Sequence, residues 1–145
     1  MALEHEFLNV STENILPLLH LNNSLFSDKK IRYKNGEDVY WPNKYEDADD
    51  ILLKIMTSRR AECIVLHDDI IRPILHNFET VNTLFGGFIP FSGLNYYGFT
   101  LIPPESIPTL ISVLTNVKTD LKIDALLDLC AEATDKKQYI LHSGI

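Results

Sequence analysis

Between residues 48 and 78 the spacing of apolar residues changes twice, and this restricts the fold more than any other feature of the chain. Ala48, Ile51, Leu52 and Ile55 recur at i, i+3, i+4 and i+7, one face of a helix. The run AECIVLHD that follows is compact and β-branched, which predicts a buried strand. Ile71, Ile74, Leu75 and Phe78 then return to helical spacing, with Pro73 in the first turns, where a missing N–H is tolerated. Asp47 is the expected cap of the first helix, and Asp68 or Asp69 of the second. A helix, a strand and a helix in so short a stretch call for a sheet with helices laid on it.

The remaining segments extend the pattern. LEHEFLNV alternates loosely and reads as a strand, and Ser11 or Thr12 can cap a short helix in ENILPLLHL, limited by Pro17. In KIRYKNGEDVYWPN, Asn35-Gly36 predicts a hairpin, because a type I′ turn needs positive φ at both central residues. Ile31 and Tyr33 lead into it, Val39 and Trp41 lead out, and Pro42 ends the second strand or marks it as an edge. VNTLFGGFIPFSG reads as a glycine-rich loop whose Leu84, Phe85, Phe88 and Phe91 pack either on the core or on a partner. Tyr96 to Ile102 reads as a strand that places Tyr96 and Tyr97 on opposite faces. It is stopped by Pro103 and Pro104, and Ser106 caps a helix striped by Ile107, Leu110, Ile111 and Leu114. A helix from Asp120 to Lys136 and a strand in YILHSGI close the chain. The expected fold is α+β or α/β, one domain over residues 1–145, with a mixed sheet of about five strands and four or five packed helices. The Asn35-Gly36 hairpin argues against an all-parallel sheet.

Composition then narrows the function. No apolar run approaches the ~20 residues of a membrane helix. MALEHEFLNV lacks the basic start and apolar centre of a signal peptide. Cys63 and Cys130 sit among apolar neighbours and read as buried thiols, which points to a cytoplasmic protein. A net charge of −7 excludes the basic footprint of a nucleic-acid binder and disfavours an anionic membrane, while it suits a basic partner. The glycines form neither GxGxxG nor a P-loop, so no cofactor is expected. GxSxG, CxxC and HExxH are absent, and no metal site is expected. His142 and Ser143, adjacent on a strand, face opposite sides and make a poor catalytic pair. The strongest catalytic alternative is a small metal-dependent or acid–base enzyme centred on His67, Asp68 and His76. It competes with the simpler reading of Asp68 or Asp69 as a helix cap.

The most distinctive surface signal lies between residues 37 and 50. Glu37, Asp38, Glu46, Asp47, Asp49 and Asp50 stand against the single Lys44, with Tyr40, Trp41 and Tyr45 interleaved. Aromatic anchors beside charge of one sign are what a steered protein interface uses. The competing reading makes Trp41 a core residue and the acids a solvated helix start. These nine residues, Lys44 apart, are the expected partner-binding set.

The segment NYYGFTLIPPESIPTLISVL, with the terminal YILHSGI, resembles bacterial immunity proteins of polymorphic toxin and contact-dependent growth inhibition systems. The resemblance covers residues 95–145, and YYGxTLIPPES is its most specific part. It implies a non-enzymatic cytoplasmic protein whose partner is the C-terminal toxin domain of a cognate effector, often a basic nuclease. Inhibition would come from covering the toxin's active site or a surface it needs. No binding residues transfer with the resemblance, and it does not set the oligomeric state.

Overall fold

The structure, a computed structural model, describes residues 3–15, 18, 33–34, 37–38, 41–86, 89–117 and 121–145; for 33–34, 37–38, 41–47 and 121 it describes the backbone. Six strands form the main sheet. β1 (Glu4–Val10) lies beside the edge strand β4 (Ile64–His67) and pairs on its other side with β8 (Tyr139–Ser143). β7 (Phe99–Ile102), β5 (Asn82–Phe85) and β6 (Ile89–Ser92) complete the order β4-β1-β8-β7-β5-β6. All five ladders run antiparallel. A separate ribbon pairs β2 (Tyr33–Lys34) with β3 (Glu37–Asp38), Lys34 opposite Glu37. That register is the one an Asn35-Gly36 hairpin demands, although the two turn residues lie outside the described residues. The fold is α+β, one of the two classes expected; among the described residues the main sheet has six strands, all antiparallel, where a mixed sheet of about five was expected.

Helices cover both faces of the sheet. On one face Phe7, Leu66, Ile102 and Ile140 meet α3 (Ile107–Asn116) and α4 (Leu121–Lys136), through Leu110, Leu114, Ile123, Leu126 and Cys130. On the other, Leu8, Val10, Leu101 and Leu141 meet Ala48, Leu52 and Met56 of α1 (Trp41–Ser58). Double coverage explains why β1 is buried at five of its seven positions, where a sheet with one wet face would alternate fully. Each fully buried Phe or Leu contributes about 1.5–3 kcal/mol through the apolar area it removes from water.

Five local expectations are corrected first. α1 begins at Trp41, so Trp41, Tyr45, Glu46 and Asp47 are helical and Asp47 is no cap. Pro42 fits the first turn, where its fixed φ favours a helix, so it starts the helix instead of ending a strand. The glycine-rich segment is a hairpin, β5–β6, with Gly86 at φ 62 where the chain leaves β5. The strand predicted from Tyr96 begins at Phe99, so Tyr96 and Tyr97 form a turn. Ser106 makes no side-chain cap, because a 3₁₀ turn, Pro104–Ser106, leads directly into α3.

The edge strands are asymmetric. Gly93 N–H donates to Val81 O at 2.9 Å, so odd-numbered residues of β6 face β5 and Pro90 and Ser92 face outward. Proline at the outward position removes the N–H that another strand would pair with. At the opposite edge, β4 is half exposed: Val65 is open and Leu66 is buried against β1. The buried strand expected for AECIVLHD is therefore a partly exposed edge strand.

Candidate functional site

The predicted partner-binding residues that the structure describes fall on β3 and on α1. Glu37 and Asp38 form β3, and Trp41, Tyr45, Glu46, Asp47, Asp49 and Asp50 lie on the first turns of α1; Tyr40 lies outside the described residues. Asp50 is exposed. Asp49 is half-buried, and its carboxyl is held above the usual range, first by burial and then by the neighbouring Asp50 charge. Further along the helix Leu53 is half exposed, an apolar side chain among charged neighbours.

The residues of the enzymatic alternative are drawn into other roles. His67, not Asp68 or Asp69, caps the following helix α2 (Asp68–Ile71), which continues as a 3₁₀ helix to Thr80. Its Nδ1 accepts from Asp69 N–H at 3.1 Å. Asp68 turns inward and is fully buried. His76 lies on the 3₁₀ segment, in a cleft of about 720 Å³ shared with Arg72, Glu79, Phe85 and Phe91. Phe91 is largely exposed there, and its ring sits 4.5 Å from that of Phe85. Among the described residues no three His, Cys, Asp or Glu side chains gather as metal ligands.

Asp68 leads instead to a buried polar row. His5 Nε2 is 3.1 Å from Asp68 Oδ1, His5 Nδ1 is 2.9 Å from His142 Nε2, and His142 Nδ1 is 3.3 Å from Thr100 Oγ1. All four side chains have no solvent-exposed surface. Strand alternation places them. His5 shares a face of β1 with Phe7, His142 shares a face of β8 with Ile140, and β7 pairs Thr100 directly opposite His142. Tyr96 O–H donates to Asp68 Oδ1 at 2.7 Å, and Arg72 places a guanidinium nitrogen 3.0 Å from Asp68 Oδ2. That Arg72 contact is an ion pair without an aligned hydrogen bond, since Oδ2 has no hydrogen-bond partner. The carboxyl is held below its usual range, above all by the Tyr96 hydrogen bond, with His5 and Arg72 adding to it against the opposing effect of burial. Burial, reinforced by His5, pushes the His142 imidazole down to about 3.

The inner members of the row are closed to solvent, and Tyr96 and Arg72 bring one end to the surface. His5 did not stand out in the sequence, and His142 did so only beside Ser143, as a poor catalytic pair. The face each occupies was readable from alternation, but the pairing of β1 with β8 was not. The thiols are weakly reactive by environment: burial pushes Cys63 up to about 11 and Cys130 up to about 12. Among the described residues no helix is long and apolar enough to cross a membrane. No protein family, curated protein or solved structure matches the chain.

Proposed function

We propose that this chain is an immunity protein that binds the toxic C-terminal domain of a cognate effector in the cytoplasm and neutralises it without chemistry. The observation that carries this reading is the concentration of six carboxylates between residues 37 and 50, on β3 and the first turns of α1, against Lys44 in that stretch and Lys34 on the paired strand β2. Charge of one sign on one structural unit accelerates encounter with a basic domain, and the aromatic residues interleaved with it supply anchors once contact is made. The resemblance of residues 95–145 to immunity proteins supports the same conclusion. That segment forms β7, α3, α4 and β8, the scaffold behind the acidic unit.

The test is co-expression with the C-terminal domain of a large secreted effector encoded immediately upstream. Restored growth is the expected outcome. Failure to restore growth with both proteins in solution would refute the assignment. In a purified pair, reversing Asp47, Asp49 and Asp50 to lysine slows association by about tenfold or more at low salt and flattens its salt dependence. An unchanged on-rate would remove the acidic unit from the interface.

A further inference from the structure

The row Thr100–His142–His5–Asp68 admits one arrangement of protons when both rings are neutral. Asp68 is ionised, so His5 Nε2–H donates to it. His5 Nδ1 then offers a lone pair, and His142 Nε2–H donates to that. His142 Nδ1 in turn accepts from the Thr100 hydroxyl. Every internal bond is filled, and every proton points toward Asp68. The second lone pair of Thr100 Oγ1 takes Asn95 N–H at 2.7 Å.

An additional proton on either ring leaves the row with one donor too many between His5 and Thr100. Placed on either ring, it makes His142 Nδ1 a donor, and the Thr100 hydroxyl proton must turn away from its acceptor. The disturbance reaches the oxygen that anchors Asn95. The turn that follows is fastened at both ends of the row, by Asn95 on Thr100 and by Tyr96 on Asp68. The same turn carries Tyr97, 80% exposed and edge-on to the Tyr96 ring. It also holds Gly144 and Ile145, through Gly144 N–H to Gly98 O at 2.8 Å and Ile145 N–H to Tyr96 O at 3.0 Å.

We infer that the buried row is a proton-operated latch on the Asn95–Gly98 turn, closed near neutral pH and opened by mild acid while the sheet stays intact. His142, fully buried in the closed row, takes up a proton less readily than it does once opened to solvent, so acidification favours opening by linkage. Other charges do not cancel this bias. The Tyr96 hydrogen bond above all, with His5 and with Arg72 facing Asp68 from the helix, holds that carboxyl below its usual range, so it stays charged. His67 and Asp69, beside Asp68 at the surface, pair with each other at 3.4 Å. Glu4 and Glu6 point to the opposite face of β1 from His5, with Glu6 3.5 Å from Arg60. Phe7, 4.9 Å from the His142 ring, contributes only apolar contact. The latch places Tyr97 and the backbone of Gly144 and Ile145 under the control of one proton.

Amide hydrogen exchange on the full, isotope-labelled chain tests this, with protection corrected for the intrinsic effect of pH. Between about pH 7 and pH 5, protection at Asn95–Gly98, Gly144 and Ile145 falls by about tenfold or more and stays well below that of Leu101 and Leu141, which are released only with the whole sheet; a tenfold change corresponds to one pKa unit of linkage. In Thr100→Val, which has no hydroxyl to turn, the same amides vary by less than about twofold over that range. If the turn stays protected until Leu101 and Leu141 are lost, the latch does not exist. A pH step that survives Thr100→Val overturns the proposed route. Should Thr100→Val not fold, the wild-type comparison of the turn with Leu101 and Leu141 decides alone.

Discussion

Acid should destabilise the whole fold through His142, by an amount that can be worked out. Its imidazole lies at about 3 in the folded protein against an ordinary 6.5, because the charged ring would be fully buried beside His5. A lowered folded value means that the unfolded chain takes up the proton first. Stability is therefore intact above about pH 6.5 and is lost progressively as the pH falls toward 3. At pH 5 the unfolded imidazole is about thirtyfold more protonated than unprotonated, and the folded one remains neutral. The linkage is RT times the logarithm of that ratio, about 2 kcal/mol. The window from about pH 7.5 to 5 lies above the ordinary carboxylate range, so it isolates histidine from most acids. Asp68, whose carboxyl is lowered in the fold, adds a loss of the same sign further down. Urea unfolding followed by circular dichroism should show the midpoint falling by about 1 M between those limits, for an m value typical of a chain this size. The variant His142→Asn should start lower and lose most of that slope. A wild-type midpoint at pH 5 equal to or above the one at pH 7.5 would refute the reasoning.

Three further outcomes are expected. Gly144→Ala should cost about 1–3 kcal/mol in urea melts, because a Cβ there meets Tyr96 C at 2.6 Å and Asn95 O at 2.7 Å, both backbone atoms. Pro90→Val should raise self-association by light scattering, since it restores an outward N–H on the β6 edge; unchanged scattering would mean that the edge is protected by something other than proline. Cys63 and Cys130 should react with a disulfide reagent much more slowly than a free thiol at about pH 8, and unfolding in urea should abolish the difference.

What the sequence made legible follows from the range over which each signal acts. The α1 stripe at Ala48 and Leu52, the α3 stripe at Ile107, Leu110 and Leu114, and the α4 stripe at Ile123, Leu126 and Cys130 are local repeats, and all these residues are buried. Strands β1 and β8 were readable from apolar runs for the same reason. The start of α1 was missed because Pro42 is ambiguous: it ends a strand or begins a helix, and only the backbone decides. β5 and β6 were missed because two glycines at their junction outweighed the β-branched and aromatic residues on either side. Tyr96 has good strand propensity, yet its hydroxyl is committed to Asp68, and that long-range bond fits a turn. The acidic set was found as a cluster in sequence; its described members lie on β3 and α1 by backbone, with side chains described for Asp49 and Asp50. The His5–His142 row was out of reach, because strand alternation gives a residue its face and says nothing about which strand lies alongside.

The placement of β1 next to β8 also sets an order of events. Its two neighbours in the sheet are β4 and β8, and the contact between His5 and His142 spans 137 positions of sequence. Closing a loop of that length costs about 2 kcal/mol more in chain entropy than closing one of ten residues. The β5–β6 hairpin is local and can zip early, but the middle of the sheet cannot. Folding should therefore be limited by a late, long-range docking step, and it should be slower than for a helical bundle of equal size. On the ribosome, β1 must wait with one side unpaired until Tyr139–Ser143 has emerged.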